Sequence, residues 1–252
     1  MRITLVTIFP DFFPDAFADG MIRVAHEKGR LETSVVNLRD FTDDPHRSTD
    51  DYPFGGGAGM VMKIEPVWRA LDSLGLAGRA ARPAGTRVVL TSPQGPRFTQ
   101  ETALAWSRLE HLVILCGRYK GMDERVAEHL ADAEFSLGDF VLSGGEPAAL
   151  CVVDAVARLL PDVVGSFDSV EGDSFHSGLL DCAYYTRPAE FRGWPVPEVL
   201  LSGHHANIER ARREDALRRT LERRPDLLEK AELSEDDRRV LARLERERKR
   251  GA

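Results

Sequence analysis

An α/β fold on a mostly parallel sheet, followed by a smaller helical region, is what this sequence predicts. Two observations carry that expectation. Short apolar, β-branched runs alternate with amphipathic stretches from Arg2 to Leu160, the rhythm of strand–helix units. From Pro188 onward the pattern turns helical and rich in arginine. With 252 residues, 42% hydrophobic and 30% charged, the chain can bury one large core and a small second one.

Arg2 to Phe9 reads as a buried opening strand that stops at Pro10. A helix is expected next, with Asp11 as N-cap, Phe13, Phe17, Met21 and Ala25 on one face and Gly29 as its stop. Leu31 to Leu38 is then a second strand, residues 40–60 a polar loop with no strand ahead of its glycines, and Ile64 to Leu74 a helix. Val88-Val89-Leu90 enters Ser92-Pro93-Gln94-Gly95-Pro96, with a helix near Thr99 to Arg108. Leu112 to Cys116 enters a first glycine-bracketed segment, Gly117 to Gly121, with a helix near Asp123 to Leu130. Phe135 to Leu142 is expected as a strand entering a second such segment, Ser136 to Gly145, before an apolar helix from about Pro147 to Leu160. The boundaries expected are a domain over residues 1–162, a flexible linker over 163–178 and a helical domain over 179–252. In that last domain Ser202 or Asn207 is a possible cap, and Pro225 and Ser234 start later helices.

No stretch approaches the ~20 apolar residues of a membrane span, and the opening residues lack a signal-cleavage pattern, so the expected compartment is the cytoplasm. Cys116, Cys151 and Cys182 show no C-x-x-C spacing and are expected as buried thiols, neither bridged nor metal-bound. The net charge of −7 is unevenly spread, with 15 Lys/Arg against 12 Asp/Glu from Gly203 to Ala252. On charge alone, ion pairs along a solvated helix explain those arginines better than RNA contact does.

Glycine segments at strand ends suit a ligand held by backbone groups. None of the three loops has the G-x-x-x-x-G-K-[ST] or G-x-G-x-x-G spacing of a phosphate cradle. Backbone groups with apolar walls such as Leu137, Phe140 and Leu142 fit an adenine and a thioether or sulfonium chain better. The loop Phe54-Gly55-Gly56-Gly57-Ala58-Gly59-Met60 also lacks the setting of a nucleotide site, and reads equally as a surface excursion or as a loop beside a polynucleotide. Glu171, Asp173 and His176 share a glycine-flanked segment, although spacing does not single out Asp173. Arg158, inside an apolar run, reads equally as the ion-pair partner of Asp154 and as an anion clamp. His204 and His205, being adjacent, do not make a metal site.

Taken in order, several motifs together resemble the bacterial tRNA (guanine-37-N1)-methyltransferase family. They are Gly55 to Met60, Gly117 to Arg125, Asp139 to Glu146, Asp173-Ser174-Phe175, Gly178 to Asp181, Tyr185-Thr186-Arg187-Pro188 and Ser202-Gly203-His204-His205. The likeness runs from Met1 to about Leu228. It implies a SPOUT-class fold with a deep trefoil knot, S-adenosyl-L-methionine as cofactor, tRNA with guanosine at position 37 as substrate, and a homodimer with active sites at the subunit interface. It implies that the cofactor contacts Thr91, Ser92, Pro93, Gly95, Gly117, Tyr119, Gly121, Ser136, Leu137, Gly138, Phe140, Leu142, Gly144 and Gly145. It further implies Asp173 as general base and Arg158 as its catalytic partner. Gly57, Gly59, Asp181, His204 and His205 would meet the RNA, and loosely bound Mg2+ would assist. Three features depart from the family pattern: Lys120 stands where glutamate is usual, Ala58 where proline is usual, and the order Glu146-Pro147-Ala148 shifts a proline by one position. The readings to separate from this one are a related knotted enzyme acting on another RNA atom, such as a ribose 2′-hydroxyl, and an RNA-binding module without catalysis.

Overall fold

A computed structural model of the chain describes residues 1–164 and 172–251. The chain divides into two compact units, Met1–Gly165 and Ser166–Ala252. In the first, β1 (Arg2–Thr7), β2 (Glu32–Asn37), β5 (Thr86–Thr91), β6 (His111–Leu115) and β7 (Ala133–Phe135) form a sheet in the order β2-β1-β6-β5-β7. Every pairing in it is parallel.

Side chains alternate cleanly across this sheet because strand residues point to opposite faces. Val6, Val88, Leu90, Val113 and Leu115 join one apolar cluster with Val67, Ala70 and Leu71 of α3 (Ile64–Ser73) and with Val126 and Leu130. Ile3, Leu5, Val89, Leu112 and Ile114 are equally buried, and fall on the opposite face by alternation. On that side α5 (Glu146–Ala157) contacts β1, α2 (Gly20–Glu27) and α4 (Gln100–Trp106). Burial on both faces explains why these strands read as continuous apolar runs.

Several sequence expectations are corrected. The helix expected after Pro10 is broken into a 3-10 turn (Pro10–Phe12), α1 (Pro14–Phe17) and α2, with no side-chain cap from Asp11. Gly20, at φ 62°, lets the chain turn between the last two pieces. The glycine loop is the tip of a hairpin: β3 (Asp50–Asp51) pairs antiparallel with β4 (Val61–Met62). The strand expected over Phe135 to Leu142 ends at Phe135, because β7 pairs with β5 only through Ala133–Phe135. Beyond it Phe140, Val141 and Leu142 are exposed. The turn after Asp123 closes as a five-residue π-helix, Val126–Leu130. Only Cys116 is a buried thiol; Cys151 is exposed and Cys182 half-buried.

In the C-terminal unit a hairpin stands where helix was expected: β8 (Glu190–Phe191) pairs with β9 (Trp194–Pro195). Four helices follow, α6 (Glu198–Leu201), α7 (His205–Arg223), α8 (Pro225–Leu228) and α9 (Glu235–Gly251). His204, rather than Ser202 or Asn207, occupies the N-cap of α7 and makes no side-chain cap. Ser234 does cap α9, its Oγ accepting from Asp237 N at 3.1 Å while Asp237 Oδ2 accepts from Ser234 N at 2.9 Å. Leu179, Leu217, Leu221, Leu241 and Leu244 form the core, so the arginine-rich tail is an integral, packed helix. Three of the arginines considered above for RNA contact, Arg213, Arg218 and Arg219, are matched by Asp237, Glu214 and Asp215. No helix among the described residues is long and apolar enough to cross a membrane.

Candidate functional site

The loops after β5, β6 and β7 leave adjacent strands at their C-terminal ends, where α/β sheets bind ligands. They are laced to one another. Thr91 Oγ1 accepts from Gly117 N at 2.9 Å, Gly145 N donates to Gly117 O at 2.8 Å, and Ser92 N donates to Phe135 O at 2.9 Å. Ser136 N donates to Pro96 O at 2.9 Å, and Phe98 N to Ser136 O at 2.8 Å. These bonds enclose a cleft of about 380 Å³.

Of the fourteen residues expected at a cofactor, Thr91, Ser92, Pro93, Gly117, Tyr119, Gly121, Ser136, Leu137, Phe140, Leu142, Gly144 and Gly145 line that cleft, while Gly95 and Gly138 do not. The glycines have different reasons to be there. A Cβ on Gly95 would stand 2.5 Å from Phe135 N, and one on Gly145 would meet the Thr91 side chain and stand 3.0 Å from Cys116 Cα. Their smallness lets one loop cross another, and only secondarily exposes backbone to a ligand. Gly121, at φ 120° with open space around it, is the case where the backbone itself demands glycine.

Beneath the cleft lies a polar group that sequence reasoning passed over. Glu146, at the first turn of α5, is 1% exposed and accepts from Thr7 Oγ1 at 2.7 Å. Arg118, from the next loop, approaches its other oxygen at 3.5 Å and lays its guanidinium 4.1 Å from the centroid of Phe9. Arg118 also bridges to Gly144 through the backbone. The carboxylate therefore ties β1, the β6 loop and the start of α5 at one point. It also acts on Cys116, whose thiol burial, and then the charge of Glu146, push well above its ordinary range. The signal available in the sequence was a carboxylate directly after two glycines at a helix start.

The glycine hairpin docks on the middle loop. Lys120 N donates to Met60 O at 3.0 Å and Met62 N to Gly121 O at 3.0 Å. The stem of Lys120, which lines the cleft, passes so close to Gly59 that a Cβ there would lie 3.0 Å from Lys120 Cγ. Gly57, at φ 114°, sits at the open tip.

Arg158 belongs to the first unit and closes α5, its backbone N–H donating to Asp154 O; its side chain is exposed. Asp173 belongs to the second unit and is half-buried in an ordered turn: His176 N donates to Asp173 O at 3.2 Å and Phe175 N to Leu179 O at 2.7 Å. Asp181 is tied to this turn, since its N–H donates to Ser174 Oγ at 2.9 Å. Its carboxylate accepts from Cys182 N at 2.6 Å and from Tyr184 Oη at 3.3 Å. Partial desolvation of its hydroxyl first, then the neighbouring Cys182 and Asp181, push the Tyr184 phenol up to about 12 although much of the ring faces water, so it stays a donor. Glu171 and residues 165–170 of the expected linker lie outside the described residues. His204 and His205 are exposed at the start of α7. No group of three or more His, Cys, Asp or Glu able to hold a metal ion occurs among the described residues.

A family model described as tRNA (Guanine-1)-methyltransferase TrmD matches residues 1–230. The chain belongs to that family. The TrmD family is of the SPOUT class, in keeping with the parallel α/β sheet described above. Relatives named tRNA (guanine-N(1)-)-methyltransferase extend the match. That of Brevibacillus brevis is 50% identical over 249 residues, covering 99% of this chain and all of the relative. That of Moorella thermoacetica is 50% identical over 246 residues, 98% of this chain and 97% of the relative. That of Dehalococcoides mccartyi is 49% identical over 241 residues, 96% of each.

Proposed function

We propose that this TrmD-family chain methylates N1 of guanosine 37 in tRNA, using S-adenosyl-L-methionine and working as a cytoplasmic homodimer with its active sites at the subunit interface. The observation that carries the reading is the convergence of three glycine-bearing loops on one cleft with apolar walls. That cleft suits the cofactor: Leu137, Phe140 and Leu142 offer an apolar face to adenine, and the backbone from Gly117 to Gly121 offers polar atoms opposite. Knotting of these loops belongs to the same proposal. When bound, the cofactor supplies an electrophilic methyl group and a neutral thioether as leaving group.

What remains for the protein is to position guanine and manage its proton. Guanine N1 carries a hydrogen and is a weak nucleophile, so a base must remove that hydrogen as the new N–C bond forms. Asp173 takes this proton, and Arg158 stabilises the negative charge that develops on O6. Asp181, held by Cys182 N and Tyr184 Oη, orients the guanine. Gly57 and Gly59 in the hairpin and His204 and His205 at the start of α7 approach the RNA backbone. The family's association with Mg2+ finds no carboxylate cage among the described residues, and no step is routed through the ion.

The test is methyl-labelled cofactor with an unmodified tRNA transcript, beside one whose guanosine 37 is replaced. Label at N1 of guanosine 37, absent from the replaced transcript and lost at least a hundredfold in Asp173→Ala, is expected. Label on a ribose hydroxyl, or Asp173→Ala activity near wild type, overturns the mechanism.

A further inference from the structure

The C-terminal unit carries a second cleft, of about 360 Å³, beside the Tyr184–Asp181 hydrogen bond. Tyr184, Tyr185 and Arg212 wall it, with Arg187 beside them and Val196 and Leu200 supplying apolar surface. Its volume is of small-ligand size, within the ~300–1,000 Å³ usual for such sites. Both charged residues lining it are cations, and no carboxylate does. Ala189 and Val196, joined by a hydrogen bond from Val196 N to Ala189 O at 2.8 Å, bring the base of the β8–β9 hairpin to its edge.

The rings here face water. Tyr184 is 65% and Tyr185 53% exposed, and on the hairpin Phe191 and Trp194, 6.1 Å apart, are also open. Arg212 lies 5.6 Å from the centroid of the Tyr184 ring, whereas its neighbours Arg213, Arg218 and Arg219 on α7 are each matched by a carboxylate. Exposed apolar surface of this kind marks a place that something covers. Flat rings, a guanidinium lying over one of them, a second cation and no anion match the chemistry of an unstacked nucleotide, whose base stacks and whose phosphate meets arginine.

We propose that this cleft holds a single unstacked nucleotide of the RNA loop that carries the methylated guanosine, and that this nucleotide is a different one from the guanosine. Its base lies against the tyrosine rings and its phosphate meets Arg187 and Arg212. The inference rests on the reading that the chain acts on tRNA.

The test uses the full chain and transcripts in which guanosine 37 is replaced and 2-aminopurine takes one other loop position at a time. Fluorescence quenching at one position on binding is expected, lost in Tyr185→Leu and kept in Tyr185→Phe. Tyr185→Leu should weaken RNA binding about five- to hundredfold, the usual worth of one stacked base, with cofactor affinity unchanged. Arg212→Gln should flatten the slope of log affinity against log salt by about one. Thermal melts of the variants check that each is folded. Quenching at no position, or Tyr185→Leu binding RNA as wild type does, overturns the cleft even if methyl transfer to guanosine is found. Tyr185-dependent quenching together with no methyl transfer to the unmodified transcript that keeps guanosine 37 overturns the proposed reaction and keeps the cleft.

Discussion

Replacing Glu146 by alanine should be among the costlier single changes in the N-terminal unit. Three effects add up at this carboxylate. Thr7 Oγ1 loses the acceptor it reaches at 2.7 Å, and a buried donor left without a partner costs about 1–3 kcal/mol. Arg118 loses its counter-charge, but at 3.5 Å and with 28% of its side chain still in water that loss is worth no more than about 1 kcal/mol. The cavity left in a site 1% exposed adds to both, giving on the order of 2–4 kcal/mol. Glu146→Gln keeps the volume and an oxygen for Thr7, loses only the charge, and should cost about 1 kcal/mol. At roughly 2–4 °C per kcal/mol for a unit of this size, calorimetry should find the alanine variant melting about 4–16 °C lower and the glutamine variant about 2–4 °C lower. Cofactor affinity should fall about tenfold in the alanine variant, because the Arg118 side chain no longer anchors its loop to the start of α5. If both variants melt within 2 °C of wild type and bind cofactor equally, the carboxylate does not organise the cleft and the reasoning fails.

Two further outcomes follow from buried groups. His111 is 4% exposed, bonded through Nε2 to Thr4 Oγ1 at 2.9 Å, and burial, then the charge of Arg2, push its imidazole down to about 4 from 6.5. The unfolded chain therefore binds the proton more readily, and stability falls as pH drops from 6.5 to 4, by on the order of 3 kcal/mol. Urea melts at pH 7, 5.5 and 4 should show this loss in wild type and less of it in His111→Gln; identical pH profiles would contradict it. Gly95→Ala places a Cβ 2.5 Å from Phe135 N, against backbone that cannot swing aside, so it should cost about 1–3 kcal/mol by overpacking. A thermal melt with unchanged midpoint would show that this loop has room that the structure denies it.

Much of the first unit was readable in sequence because its information is local. β1, β5 and β6 are apolar on both faces, and runs of that kind in alternation with amphipathic helices have few other uses. The starts of α4 near Thr99 and of α9 at Ser234 were legible because a capping side chain acts within three residues. The misreadings have a common cause. Phe140, Val141 and Leu142 have strand composition, but no strand lies beside them to receive their hydrogen bonds, and β7 stops at Phe135. The β8–β9 hairpin lies inside the stretch from Pro188 that reads as helical, and its two-residue strands are too short to show a strand pattern.

By itself, the sequence determined the order of the five sheet strands and of the main helices between them, the placing of three glycine-bearing loops at strand ends and, through its ordered motifs, the likeness to one enzyme family. Only the tertiary structure decided what each loop residue is for. Glu146 meets Thr7 from 139 positions away, Gly117 meets Thr91 from 26, and the second cleft gathers residues from Ala183 to Arg212. Local preference fixes backbone conformation over a few residues. Whether a glycine clears a neighbouring loop or bares its backbone, and whether a carboxylate is solvated or buried, depends on which distant segment the sheet brings beside it.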